Sequence, residues 1–243
     1  MRVCILGNSH VAALYDAWHE DKDLLPCPAD FFSTPSPSNY VKDGRLFASE
    51  PDTVSTNVAD AIKDGLRLSE YDCILISAGG YWVYRNEHKG HPLFEIRLAN
   101  WEAHEHRPPR IVSSAVMDAT IVSILLRSPV IQICESIAKC YQGKILVQPW
   151  PLPGPGVYED KEWNFAKLYG ESAPRVTAEF FMRQYEAMGK LLRQFREDIL
   201  LLPYPEPVDP RSGQTPGHFA SADPWHMNQE YGRLVLQQLR DAT

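Results

Sequence analysis

Short apolar runs alternate with longer amphipathic stretches along this chain. The first run, residues 2–6 (RVCIL), stops at Gly7-Asn8-Ser9-His10. An apolar run this short, closed by a glycine, predicts a buried strand that ends in a tight turn. From Val11 the period changes. Val11, Leu14, Tyr15 and Trp18 recur at helical spacing, so a helix is expected immediately after the turn. Residues 29–33 predict a second strand. Residues 34–56, rich in Pro, Ser and Gly, read as a long surface loop of the kind that borders functional sites. Asn57 is suited to cap a helix carrying Val58, Ala61, Ile62 and Leu66. The clearest strand is 71–78 (YDCILISA), closed by Gly79-Gly80.

Residues 81–110 hold many His, Arg and aromatic positions without a clean period, which predicts a loop-dominated insertion. Residues 111–141 read as helical with a break near Pro129. A further strand is expected at 144–148 (KILVQ), ended abruptly by the proline-rich run from Pro149 to Pro155. Residues 174–198 form a long amphipathic pattern, with Phe180, Phe181, Tyr185, Met188, Leu191, Leu192 and Phe195 along one stripe. A short strand at 199–202 and a helix at 229–240, bearing Leu234, Leu236 and Leu239, complete the chain. Strands alternating with helices predict an α/β fold, a three-layer α/β/α sandwich with a parallel, flavodoxin-like sheet. At 243 residues, a single domain spanning 1–243 is expected.

Composition narrows the partners. The formal net charge is −7 and the 24 Lys and Arg are scattered along the sequence, which argues against nucleic acid or an anionic membrane as partner. No stretch reaches the roughly 20 apolar residues of a membrane span, and the N-terminal apolar run is too short for a secretory signal. The five cysteines (4, 27, 73, 134 and 140) show no CxxC spacing. A cytoplasmic protein with reduced thiols is the expectation, and its oligomeric state is left open.

In a parallel α/β sheet, ligands gather beyond the carboxyl ends of the strands. Ser9, Gly79-Gly80, Pro149-Trp150 and the loop carrying Asp223 and His226 all fall at such ends. A serine hydroxyl needs a base within hydrogen-bond reach, itself oriented by a third group. Ser9 lies where a strand hands over to a helix, so its amide would share the positive helix end, which favours an oxyanion. Asp223-Pro224-Trp225-His226 has a spacing that lets a carboxylate and an imidazole face the same way. Each motif also has a plainer explanation: Ser9 could cap the first helix, and Asp223 or His226 could cap the last.

Gly7-Asn8-Ser9-His10-Val11-Ala12-Ala13-Leu14 resembles the first block of the SGNH/GDSL hydrolase family. It is most similar to the Gly-Asp-Ser-His variant in SGNH domains associated with O-acetylation of bacterial glycans. Asp223-Pro224-Trp225-His226, followed by a helix with Gly232, resembles the last block. The resemblance implies a catalytic triad of Ser9, Asp223 and His226, with Asn8 mainly supporting the turn. It implies an oxyanion hole built from the amides of Ser9, Gly79 and Gly80, with Gly44 the nearest match to the second-block glycine. Tyr81 stands where the family has its oxyanion-hole asparagine. Acyl transfer from O-acyl, foremost O-acetyl, esters of carbohydrate is the implied activity, either to water or to a sugar hydroxyl in surface-polysaccharide assembly. A non-catalytic glycan-binding module is the alternative.

His10, Tyr81, Trp82 and Trp150 are candidates for contacting the substrate: His10 could line the acyl pocket or equally pack under the turn, and Trp82, Tyr84 and Trp150 could form a sugar-stacking platform or simply pack. His218 could line the same cleft. No metal or organic cofactor is required by this chemistry. His88, His91, His104 and His106 lack a helical register that would make a zinc site and read as a solvated loop.

Overall fold

Strand β1 (Val3–Gly7) is buried along its whole length, because neighbouring strands flank it and helices cover both faces. The computed structural model describes residues 1–33, 39–48, 65–79, 114–159, 170–222 and 226–243. Helix α1 (Val11–Glu20) leaves β1 after three residues and returns the chain to β2 (Ala29–Ser33), which pairs parallel to β1 from Val3↔Ala29 to Gly7↔Ser33. On its other side β1 pairs parallel to β6 (Cys73–Gly79), with Gly7 opposite Ser77. Strand β7 (Lys144–Pro149) and the short β8 (Leu200–Leu201) follow outward, again parallel.

The sheet order is therefore β2-β1-β6-β7-β8. The chain first builds to one side of β1 and then crosses to the other, so the direction of construction reverses between β1 and β6. A crevice opens outside the carboxyl ends of strands at such a reversal. Ser9 follows β1 by two residues and lies there.

Beside this sheet sits a small antiparallel one of three strands. Strands β3 (Asn39–Lys42) and β4 (Arg45–Ala48) are joined by Asp43-Gly44, both at positive φ (51° and 71°). That conformation makes a two-residue hairpin turn of the type Asp-Gly favours. Strand β5 (Leu66–Arg67) pairs onto β4. These elements correct two expectations. Part of the 34–56 stretch is a hairpin rather than loop, and Leu66 lies in a strand rather than a helix, because its side chain completes the buried face opposite Leu46. Asn57, Val58, Ala61 and Ile62 lie outside the described residues, as does the insertion expected at 81–110.

The helical stretch at 111–141 divides at Ser128 into α2 (Ser114–Arg127) and α3 (Pro129–Cys140), bent by 68°. Pro129 has no amide hydrogen and starts the second helix instead of continuing the first. Helix α4 (Ala173–Phe195) stops three residues short of the end expected at 198. There Arg196 turns to an extended conformation and its guanidinium donates to the carbonyls of Tyr141 (2.5 Å) and Gly143 (2.6 Å), tying α4 to the α3–β7 connection. Helices α2, α3 and α4 pack on one another. Helix α5 (Gln229–Ala242) packs along α1. A Cβ at Gly232 would sit 2.1 Å from the Ala13 carbonyl oxygen, so only glycine permits this close approach of the two helix backbones. Among the described residues no single helix is long and apolar enough to cross a membrane.

Candidate functional site

The turn after β1 is organised by Asn8. Its carbonyl accepts from the Val11 amide (3.0 Å) and its Oδ1 accepts from the His10 amide (3.1 Å). Asn8 thus closes the turn, the N-cap of α1 makes no side-chain capping hydrogen bond, and Ser9 stays exposed just ahead of the helix. Gly7 fixes the depth of the turn. A Cβ there would lie 2.5 Å from the Ser77 carbonyl oxygen, so β1 and β6 can approach only with glycine at this position.

The partner arrives from the far end of the chain. Ala220 and Met227 form an antiparallel bridge, and the Ser221 amide donates to the His226 carbonyl (2.9 Å). Asn228 closes the base of this loop: its amide donates to Phe219 O (2.8 Å) and its Nδ2 to His218 O (2.7 Å). The Oδ1 of the same residue caps α5 by accepting from the amides of Glu230 (3.0 Å) and Tyr231 (3.3 Å). The last helix therefore takes its cap from Asn228. His226 is held by its backbone, and its ring is directed at α1.

The two converge. Ser9 Oγ and His226 Nε2 lie 2.8 Å apart across 217 residues of sequence. That is hydrogen-bond distance for a hydroxyl donating to an imidazole nitrogen, in the tautomer that carries its proton on Nδ1. Asp223, expected to hold that Nδ1 proton, lies outside the described residues.

His10 does not line an open cleft. Only 4% of it is exposed, and its ring lies between Trp150 (centroids 4.8 Å, edge-on) and His226 (5.1 Å, tilted). The reason is local: the residue after Ser9 already has helical backbone angles, which turn its side chain inward. Trp150 is partly buried and packs on the core, so its contact is with His10 beneath the site. His218 is exposed beside Phe219.

Gly79 closes β6 opposite Pro149, after an irregularity in register between Ile76 and Gly79. A bulge of this kind re-aims the end of a strand next to a site. Gly80, Tyr81, Trp82 and Tyr84 lie outside the described residues. Gly44 is elsewhere: its carbonyl accepts from the Leu68 amide (3.0 Å), before β6 begins, at the amino end of the sheet. Gly44 is therefore at the opposite end from Ser9 and contributes nothing to an oxyanion hole there, because the hairpin that carries it packs on α3 below the strands.

A polar pair inside the sheet escaped the sequence reading. Ser77 donates to Gln148 Oε1 (2.7 Å), both fully buried, directly beneath the carboxyl ends of β6 and β7. The Tyr231 phenol beside Gln148 is pushed up by burial. The only signal was a polar residue ending each apolar run. Among the described residues no group of three or more His, Cys, Asp and Glu side chains is arranged to hold a metal ion; His88, His91, His104 and His106 lie outside them. No family model matches this chain, and no curated protein matches it.

Proposed function

We propose that this protein is an SGNH-type serine ester hydrolase or acyltransferase, acting through an acyl-Ser9 intermediate on O-acyl, foremost O-acetyl, esters of carbohydrate. The observation that carries this reading is the 2.8 Å approach of Ser9 Oγ to His226 Nε2, at the point where the sheet reverses direction. The plainer alternatives lose their support because the Ser9 hydroxyl meets His226 while the N-cap of α1 makes no side-chain capping hydrogen bond, and because α5 is capped by Asn228.

In this reading His226 Nε2 accepts the Ser9 proton as Oγ attacks the ester carbonyl carbon. The oxygen that becomes negative is met by the Ser9 amide at the positive end of α1 and by the amides of Gly79 and Gly80. Collapse breaks the bond to the sugar oxygen, which leaves as an alcohol carrying the proton from His226. Water or a second sugar hydroxyl, deprotonated by the same nitrogen, then releases the acyl group from Ser9. Asp223 holds the Nδ1 proton and stabilises the imidazolium.

Incubation with a fluorophosphonate probe and with p-nitrophenyl acetate tests this reading. Wild-type protein is expected to be labelled and to turn over the ester. Ser9→Ala is expected to lose both, and His226→Ala to lose at least about a thousandfold in kcat/KM. A folded wild type that neither labels nor turns over would overturn the enzyme reading in favour of a glycan-binding module.

A further inference from the structure

Strand β6 loses its regular pairing just before it reaches the site. Ile76 lies opposite Val147, but the next partners are Gly79 and Pro149, so β6 takes three steps where β7 takes two. An extra residue on one strand is a bulge, which bends that strand and re-aims its end. Pro149 also has no amide hydrogen, so β7 offers one donor fewer to the ladder at this level. Main-chain pairing is therefore weakened where β6 delivers Gly79.

Ser77 and Gln148 lie inside that irregular stretch, and their side chains join the two strands there. Ser77 Oγ donates to Gln148 Oε1 at 2.7 Å, and both residues are completely buried. On its other side Ser77 crowds β1: it is the register partner of Gly7, and a Cβ on Gly7 would lie 3.1 Å from the Ser77 Cβ. Ser77 thus stands between the strand that leads to Ser9 and the strand that carries Gln148. Among the described residues, neither Gln148 Nε2 nor the Tyr231 hydroxyl beside it has a hydrogen-bond partner. Among those residues, the bond from Ser77 is what fixes the direction of the Gln148 amide. Two apolar side chains of similar volume would fill this space with no polar atom to satisfy. What the hydroxyl–amide pair adds is direction, since it specifies one placement of β6 against β7.

We propose that the Ser77–Gln148 hydrogen bond is a positioning device for the oxyanion hole, fixing the bulge through which β6 presents Gly79 to the oxygen that turns negative beside Ser9. Both side chains are positioning residues that act through the Gly79 backbone, and neither meets the substrate. An oxyanion donor works at about 2.7–3.1 Å from that oxygen, so a bulge displaced by about 1 Å loses most of its effect. The inference rests on the acyl-Ser9 reading for its chemistry, because it names what sets one arm of that site.

Ser77→Ala, Gln148→Met and the double variant Ser77→Ala/Gln148→Met are compared with wild type by p-nitrophenyl acetate turnover, urea unfolding and deuterium uptake. The double variant removes both partners of the bond and should unfold near the wild-type urea concentration. Its kcat is expected to fall about ten- to a hundredfold, with KM within about twofold of wild type. The pH profile of kcat/KM should keep its apparent pKa, because Ser9 and His226 are untouched. Ser77→Ala, which removes a single oxygen, should show the same fall in kcat and serves if the double variant does not fold. The second substitution should change kcat little once the first is present, as expected of two residues acting through one bond. Deuterium uptake should rise at least about twofold in a peptide covering the end of β6, and not in one covering β2. Full turnover in a stable double variant, turnover lost only in proportion to stability, or a displaced pH profile would each overturn the proposal, the last by placing the effect on His226. A wild type that neither labels with fluorophosphonate nor turns over ester refutes the acyl-enzyme reading. Uptake then decides whether the bond sets the end of β6: a rise in the variants supports it, and no change overturns it.

Discussion

His10 shows how one side chain governs the geometry of two others. Its ring fills the space between Trp150 and His226 while its own amide is held by Asn8. In His10→Ala the imidazole of His226 loses a wall and can swing from Ser9. A displacement near 1 Å can cost about a hundredfold in rate. We therefore expect kcat for p-nitrophenyl acetate to fall about ten- to a hundredfold, with KM little changed, and stability to drop by about 2 kcal/mol. His10→Phe, which refills the space, should recover most of both. If it behaves like His10→Ala, the ring's nitrogens rather than its packing matter. The approach of Ser9 to His226 was legible because each residue sits in a short local pattern, a strand–glycine–serine–helix junction and a loop ahead of a capped helix. The inward packing of His10 was one of two readings that its sequence left open, but its contact with Trp150 was not legible, because the sequence leaves that residue 140 positions away.

Between elements, the contact that matters is the one where α5 lies against α1. Helix α1 begins two residues after Ser9 and α5 follows directly from the His226 loop, so their spacing sets the distance between the two side chains. Gly232 faces the Ala13 backbone, which has no flexible end to move aside. Gly232→Ala should cost about 1–3 kcal/mol by overpacking, a fall in Tm of about 2–4 °C for each kcal/mol in a chain of this size, and should reduce ester turnover as well. Gly189 in α4 is the matched control. A Cβ there meets Leu201 at 3.5 Å, an ordinary contact, so Gly189→Ala should leave stability equal or improved by up to about 1 kcal/mol. Equal effects of the two substitutions would show that helix spacing is not the constraint. At this scale the parallel strands and long helices could be read from their periods alone. The β3–β4 hairpin could not, because the polar, proline-rich surroundings outweighed the Asp43-Gly44 turn signal. The end of α4 was missed because it is set by Arg196 reaching two distant carbonyls rather than by the local pattern.

Across the whole molecule, burial acts on chemistry that no site uses. Cys4, Cys73 and Cys134 are sealed in the core, Cys27 is half-buried and Cys140 is exposed. Burial pushes the Cys4 thiol well above 9.0. It raises Cys73 to about 12, against the opposing pull of Lys144. Cys134 likewise rises to about 12, with Arg196 pulling it down. A thiol reagent at neutral pH should therefore modify Cys140 first and Cys27 more slowly. The other three should react only at the rate of unfolding, since a buried thiol lacks both access and thiolate character. The same shifts fix a pH dependence. The folded state keeps these protons while the unfolded chain begins to release its own near 9.0. Their contribution is thus complete below that value and is lost as pH climbs from about 9 towards about 12. The phenols of Tyr71, Tyr141, Tyr158, Tyr204 and Tyr231, all pushed up chiefly by burial, act in the same direction. Urea unfolding followed upward from about pH 8 should show a steady fall in stability, and replacing Cys73 and Cys134 with alanine should flatten it. A flat profile in the wild type, or rapid modification of all five thiols in the folded protein, would mean that the strands and α3 do not seal the core as described.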